Sequence, residues 1–205
     1  PYIAAGVALA RRAAGPDRCV ALDVGPLGAL LEPYGEMSFD EAYEMFAEIV
    51  EAGAEAGADL VLIETMSDLL EAKAALLAAR ERTSLPVFVT MTFGEDGRTF
   101  LGVDPAAAAV TLTSLGADVV GLNCSMGPRE LRPALLELLR ATHLPVMIQP
   151  NAGLPRLVDG ETVFGVGPEE FAACAAAFLD DGAAILGGCC GTPPDHIRAL
   201  RRLLD

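Results

Sequence analysis

Residues 118–149 read DVVGLNCSMGPRELRPALLELLRATHLPVMIQ and contain one complete strand–helix–strand unit. The largely apolar run 118–124 predicts a buried strand. Gly127-Pro128 then marks the start of a helix over 128–141, because proline is favoured at the first helical position. A second apolar run, 145–149, predicts the next strand. Two strands joined by a helix of this length are typical of a parallel pair.

The same alternation of strand and helix runs through the whole chain. Strands are also predicted over 19–24, 59–65, 86–93 and 183–188, and helices over 1–14, 38–53, 67–83, 104–115, 168–180 and from 192 onward. The strands are nearly continuous apolar runs, as in a parallel sheet that is covered on both faces. The pattern therefore predicts an α/β fold, either a (β/α) barrel or a doubly wound sheet, with a long loop over 154–167.

Composition limits the function classes that need to be considered. The chain has 205 residues, 52% of them apolar, and this length suits a single domain. A net charge of −15 argues against nucleic acids and anionic membranes as partners. No apolar run is long enough to cross a bilayer, and no signal peptide is visible. The start at Pro1 instead of Met leads us to expect that the chain is not a complete translation product.

The cysteines do not form the pattern of a disulfide framework. Five cysteines are an odd and sparse set for 205 residues, so a reducing, cytoplasmic setting is expected. Cys19 begins an apolar run and Cys174 lies in an alanine-rich helical segment, and both are interpreted as core residues. The other three are Cys124, Cys189 and Cys190.

Polar side chains collect where predicted strands end. Glu64, Cys124, Asn151 and the Cys189-Cys190 pair each lie at or just beyond the carboxyl end of a different strand. In a barrel and in a doubly wound sheet alike, the carboxyl ends of the strands form the ligand-binding edge. These residues are therefore expected to converge in space.

The adjacent cysteines lie in Gly187-Gly-Cys-Cys-Gly-Thr192. Neighbouring cysteines rarely form a disulfide, because their Cα atoms are too close. They could be two small buried hydrophobic residues, but with Cys124 they make three thiols from two strand ends. Three protein ligands with one open position are typical of catalytic zinc. His143 precedes its strand and His196 lies inside the last helix, so neither is expected to be a ligand.

Three motifs in order resemble a known family. They are Gly121-Leu-Asn-Cys-Ser125, Gln149-Pro-Asn-Ala-Gly-Leu-Pro155 and the double-cysteine motif. They closely resemble the homocysteine-binding zinc domain of homocysteine S-methyltransferases. The middle motif and the segment 63–71 are most similar to the cobalamin-dependent methionine synthase branch.

The resemblance implies a (β/α)8 TIM-barrel type of fold. Residues 1–205 would form the homocysteine-binding zinc domain without its two N-terminal βα units. The result would be an incomplete barrel made of the last six units. Unpaired strand edges promote association, so self-association through the open barrel edges is expected.

The family's site residues map onto this chain one by one. Cys124, Cys189 and Cys190 would bind Zn²⁺, and the side-chain oxygen of Asn151 would take the fourth position when substrate is absent. Glu64 would hold the α-amino group of the substrate, and Asn123 is expected to contribute to substrate binding. The alternatives are a turn-forming role for Asn151, and a helix N-terminal acid or loop salt bridge for Glu64.

The implied reaction is zinc-dependent methyl transfer to homocysteine, giving methionine. Zinc deprotonates a bound thiol, so the substrate would attack as a thiolate. The expected donor is methylcobalamin on a separate domain or chain, supplied in turn by a methyltetrahydrofolate-binding module. Alternatives are direct use of S-methylmethionine or betaine, a non-catalytic zinc-binding protein, and a thiol redox protein, although the last lacks the usual Cys-x-x-Cys spacing.

Overall fold

The computed structural model describes residues 1–204, in which seven helices alternate with eight strands. The helices are α1 Tyr2–Ala14, α2 Phe39–Glu55, α3 Leu69–Arg82, α4 Pro105–Ser114, α5 Pro128–Ala141, α6 Pro168–Asp181 and α7 Pro194–Arg201. The strands are β1 Ala21–Val24, β2 Leu60–Met66, β3 Val87–Met91, β4 Val119–Asn123, β5 Val146–Gln149, β6 Pro155–Val158, β7 Glu161–Phe164 and β8 Ile185–Leu186.

Six of these strands form one parallel sheet in the order β1-β2-β3-β4-β5-β8. Within this sheet, each strand pairs with the sheet strand that follows it in the chain. A doubly wound sheet would instead reverse the strand order at a switch point. The sheet curls into a half-barrel, which confirms the predicted incomplete barrel. Strands β1 and β8 form its two ends, and α1 precedes the first strand.

The helices pack against the outer face of the sheet. On β2, buried Val61 and Ile63 alternate with the more exposed Leu62 and Glu64, so Glu64 faces the inside of the curl. The largest buried side chains include Phe46 on α2 and Phe171 on α6. Residues that face the open interior are thus less buried than those that face the helices.

Local signals fix several helix starts as predicted. Ser38 and Glu41 form a reciprocal capping box at the start of α2. Asp68 and Asp104 cap α3 and α4 by accepting backbone N–H bonds. Of these helices, α3 begins at Leu69, directly after β2 ends at Met66, whereas longer loops precede α2 and α4.

Three details differ from the sequence-based expectations. The predicted loop 154–167 contains an antiparallel hairpin, β6–β7, whose turn residues Asp159 and Gly160 both have positive φ. The last strand is only two residues long. Cys19 is exposed just before β1, so its assignment to the core was wrong, whereas Cys174 packs partly buried against the core.

No described helix combines the length and apolar character needed to cross a membrane.

Candidate metal centre

Three cysteine side chains meet at the carboxyl ends of β4 and β8. The Sγ atom of Cys190 lies 3.8 Å from that of Cys124 and 4.0 Å from that of Cys189. All three sulfur atoms lie within 4.8 Å of one another. Tetrahedral zinc with Zn–S bonds of about 2.3 Å needs sulfur atoms about 3.8 Å apart. The donor set and its spacing therefore fit a zinc ion with three thiolate ligands.

The backbone around Cys124 is turned sharply to present its sulfur. Cys124 and Ser125 have φ of 62° and 66°, in the left-handed region that non-glycine residues seldom adopt. Cys124 N–H donates to the carbonyl of Gln149 at 3.0 Å, and Met126 N–H donates to the carbonyl of Cys124 at 2.8 Å. Strained backbone of this kind is concentrated at functional sites.

The turn that contains Cys189 and Cys190 is held by a hydrogen bond within the turn and by packing against β7. Thr192 Oγ1 donates to the carbonyl of Cys189 at 2.6 Å. At Gly191, with φ of 74°, an added Cβ would lie 2.2 Å from the ring of Phe164. The hairpin strand β7 thus packs directly on the cysteine turn, and glycine is required at position 191 for this close approach.

The three thiols do not hold their protons equally. A hydrogen bond from Cys189 is the main cause that lowers the pKa of Cys124 to about 5. The same contact raises the pKa of Cys189, and burial raises that of Cys190. The three thiols thus interact through their protons, and a bound cation would displace those protons.

Asn123 is buried directly behind this cluster. Its Oδ1 accepts from Thr65 N–H at 2.9 Å and from Thr90 Oγ1 at 2.8 Å. Its Nδ2 donates to Thr65 Oγ1 at 2.7 Å and to Cys189 Sγ at 3.9 Å. All four hydrogen-bonding positions of the amide serve the protein, which favours a role in positioning Cys189. The predicted role of Asn123 in substrate binding stays a prediction.

Asn151 also contacts the cluster. Its Oδ1 accepts from the backbone N–H of Cys190 at 3.0 Å, and a hydrogen bond from its side chain lowers the pKa of Cys124. The residue is buried, and its own N–H donates to the carbonyl of Met126. Asn151 thus links the two halves of the cysteine cluster. Its service as a fourth metal ligand stays a prediction.

Glu64 lies beside the cluster on the inner face of the sheet. Burial raises the pKa of its carboxyl, and the charges of Asp23 and Cys124 raise it further. Its Oε2 accepts from Gln149 Nε2 at 3.3 Å. Within residues 1–204 Glu64 forms no ion pair, and Asp68 provides the helix cap, so both structural alternatives for Glu64 are disfavoured.

Sequence analysis did not identify two residues of this region. Asp23, on β1, and Gln149, on β5, both interact with Glu64. The sequence feature that could have identified both as site residues is a polar side chain within an otherwise apolar strand. Desolvation raises the pKa of Asp23 as well, and the charge of Asp23 acts on Glu64 across the interior of the half-barrel.

Neither histidine belongs to the metal-ligand cluster found in the described residues. His143 precedes β5, at the opposite end of the sheet. His196 is buried in α7, where Nε2 lies 2.9 Å from the carbonyl of Val166 and the ring meets Phe171 edge-on. His196 therefore packs inside the fold, away from the three sulfur atoms.

The family model described as homocysteine S-methyltransferase matches residues 1–204. The chain belongs to the homocysteine S-methyltransferase family. Methionine synthases of Mycobacterium leprae and Mycobacterium tuberculosis are each 38% identical to it over 207 residues. That alignment covers 95% of this chain but only 17% of each relative, so the chain spans about a sixth of their length.

Solved structures agree with this assignment. The metallated form of the homocysteine methyltransferase MmuM from Escherichia coli has a TM-score of 0.78 and 26% identity, over 98% of this chain and 69% of that one. The carboxyl transferase domain of Rhizobium etli pyruvate carboxylase has a TM-score of 0.60 at 15% identity. The second similarity concerns the fold alone.

Proposed function

We propose that this chain is a homocysteine-binding module that transfers a methyl group to the thiol of homocysteine, giving methionine. One observation carries the proposal: three cysteine sulfurs stand at zinc-ligand spacing in a member of this family. The existence of a metallated form of a structurally similar homocysteine methyltransferase supports metal binding by this chain. Soft thiolate ligands favour zinc over magnesium or calcium.

Each protein group has a defined task in this proposal. Cys124, Cys189 and Cys190 would hold Zn²⁺, which lowers the pKa of a ligating thiol so that homocysteine reacts as a thiolate nucleophile. Asn151 would offer a weak oxygen ligand that substrate sulfur can replace. Glu64 would bind the α-ammonium group, for which its half-buried carboxylate is well suited.

We propose methylcobalamin, carried on a separate domain or chain, as the methyl donor. The similarity to methionine synthases supports this donor. Most of the length of those relatives lies outside the matched region, which leaves room for cobalamin-binding and methyltetrahydrofolate-binding modules. We propose a reducing, cytoplasmic setting, in which the three thiols would stay reduced and available to bind metal. Self-association through β1 and β8 stays a prediction.

A direct reaction with S-methylmethionine or betaine is the second candidate. It is favoured by the structural similarity to a homocysteine methyltransferase that is much shorter than the methionine synthases. The chain covers 71% of that methyltransferase in its apo form, against 17% of a methionine synthase. A non-catalytic zinc-binding protein is the third. The three candidates differ in which methyl donor, if any, the zinc-loaded chain uses.

The test is a methyl-transfer assay on the reduced, zinc-loaded chain. Homocysteine is supplied with methylcobalamin, S-methylmethionine or betaine in separate reactions, and methionine is measured by mass spectrometry. We expect about one zinc per chain and methionine formation with methylcobalamin. A chelated sample is the control. Methionine formed only from S-methylmethionine or betaine would identify the chain as an enzyme that uses a small methyl donor directly. Zinc binding without any homocysteine binding would overturn the proposal.

A further inference from the structure

Gln149 carries a buried oxygen that has no partner in the protein. Among the described residues only two buried side-chain polar atoms lack a hydrogen bond, Gln149 Oε1 and His196 Nδ1. Buried polar atoms nearly always have a partner, so an exception calls for an explanation. His196 lies in the packed contact between α7 and the loop before α6, whereas Gln149 lies at the candidate site.

The position of Gln149 connects the acid to the cysteine cluster. Its Nε2 donates to Glu64, although β2 and β5 are separated in the sheet by β3 and β4. The two side chains therefore meet across the inside of the curl. The backbone carbonyl of Gln149 accepts the N–H of Cys124. The side chain of Gln149 thus contacts Glu64, while its backbone holds the strand end that carries Cys124.

Gly187 makes room for this side chain. A Cβ built at Gly187 would lie 2.8 Å from Gln149 Cγ, closer than real Cβ contacts allow. The first glycine of the double-cysteine motif therefore lets the Gln149 amide lie against β8. The position of the Gln149 side chain therefore depends on a glycine of the double-cysteine motif.

We propose that Gln149 is a substrate-binding residue whose Oε1 accepts a hydrogen bond from the α-ammonium group of homocysteine. This inference rests on the proposed function. An ammonium group has three donors and no acceptor, so it matches a carboxylate and an amide oxygen side by side. With Glu64 as the first acceptor and Gln149 as the second, the site favours a primary ammonium over an N-methylated one.

The test compares two thiols that differ only in the ammonium group. Homocysteine and 4-mercaptobutyrate are titrated into the zinc-loaded chain, into Gln149→Met, which removes the whole amide at nearly constant volume, and into Gln149→Glu, which keeps an acceptor oxygen but loses the N–H hydrogen bond to Glu64. Homocysteine binding that is retained in Gln149→Glu assigns the effect to the oxygen, and binding that is lost as in Gln149→Met would mean that Gln149 acts only by holding Glu64. In Gln149→Met we expect the dissociation constant for homocysteine to rise about tenfold and that for 4-mercaptobutyrate to change less than about twofold. Zinc content should be unchanged. Gly187→Ala, which displaces the amide, should give the same selective loss.

Two results would overturn the inference. Equal weakening of both thiols would mean that Gln149 only shapes the pocket, and unchanged homocysteine binding would mean that its oxygen does not meet the ammonium. Failure of the proposed function looks different, because the unmodified chain would then bind neither thiol at the metal or form no methionine.

Discussion

Replacing Cys124 with alanine is expected to abolish zinc retention and methyl transfer together. Cys124 is one of three sulfurs within 4.8 Å of one another, and a hydrogen bond from Cys189 lowers the pKa of its thiol, which favours the thiolate that binds metal. Loss of a residue that merely orients a ligand typically weakens metal binding by about 10- to 100-fold, so loss of a ligand should exceed about 100-fold. Zinc per chain after dialysis measures the effect.

Cys174→Ala is the matched control for this substitution. Cys174 lies on α6, outside the cluster, and is partly buried against the core. The control should retain zinc and activity at the level of the parent chain. Equal zinc content in Cys124→Ala and the parent would contradict the assignment of Cys124 as a ligand.

Replacing Gly121 with alanine is expected to destabilise the fold strongly. Gly121 lies in the middle of β4, opposite Met147 of β5. An added Cβ would stand 2.2 Å from the carbonyl oxygen of Met147 and 2.9 Å from its carbon, which are backbone atoms that cannot rotate away. We expect the free energy of unfolding to fall by at least about 3 kcal/mol. Thermal unfolding should show a Tm lower by about 6–12 °C.

Gly6→Ala is the control with the opposite expected sign. Gly6 lies inside α1, and nothing lies within 4 Å of a Cβ built there. Alanine in a helix interior is favoured over glycine by about 0.5–1 kcal/mol. A Gly121→Ala protein that unfolds at the same temperature as the parent would contradict the close packing of β4 on β5 that positions Cys124.

The sequence predicted the sheet and the cysteine cluster for the same physical reason. Buried parallel strands are continuous apolar runs, so their carboxyl ends can be located from the sequence, and parallel strands bring those ends to one edge. Cys124 and the pair at 189 and 190 were therefore expected to meet, and their sulfurs do.

Contacts across the inside of the barrel could not be predicted in this way. Gln149 and Glu64 are 85 positions apart and lie on strands that are not neighbours. Only the curvature of the sheet brings them together. The side chains of Asn123 and Asn151 pose a related difficulty, because an amide can bind a ligand or support a neighbouring residue, and sequence does not distinguish the two.

The hairpin at 155–164 had a signal that the sequence analysis did not use. Asp159-Gly160 is a favoured two-residue hairpin turn, since both positions need positive φ. The flanking strands have only four residues each and are mostly exposed, so they lack the apolar alternation that identifies longer strands. Phe164 of the hairpin packs closely on Gly191 of the cysteine turn, a contact between distant segments that local sequence does not reveal.

The most direct test of the zinc site and its substrate is the number of sulfur ligands around bound zinc. X-ray absorption at the zinc edge on the zinc-loaded chain should give about three sulfur neighbours and one lighter atom without homocysteine. With saturating homocysteine the count should rise to about four sulfurs. A count that stays the same after homocysteine is added, in a chain that holds zinc, would contradict the claim that this centre binds the substrate thiol.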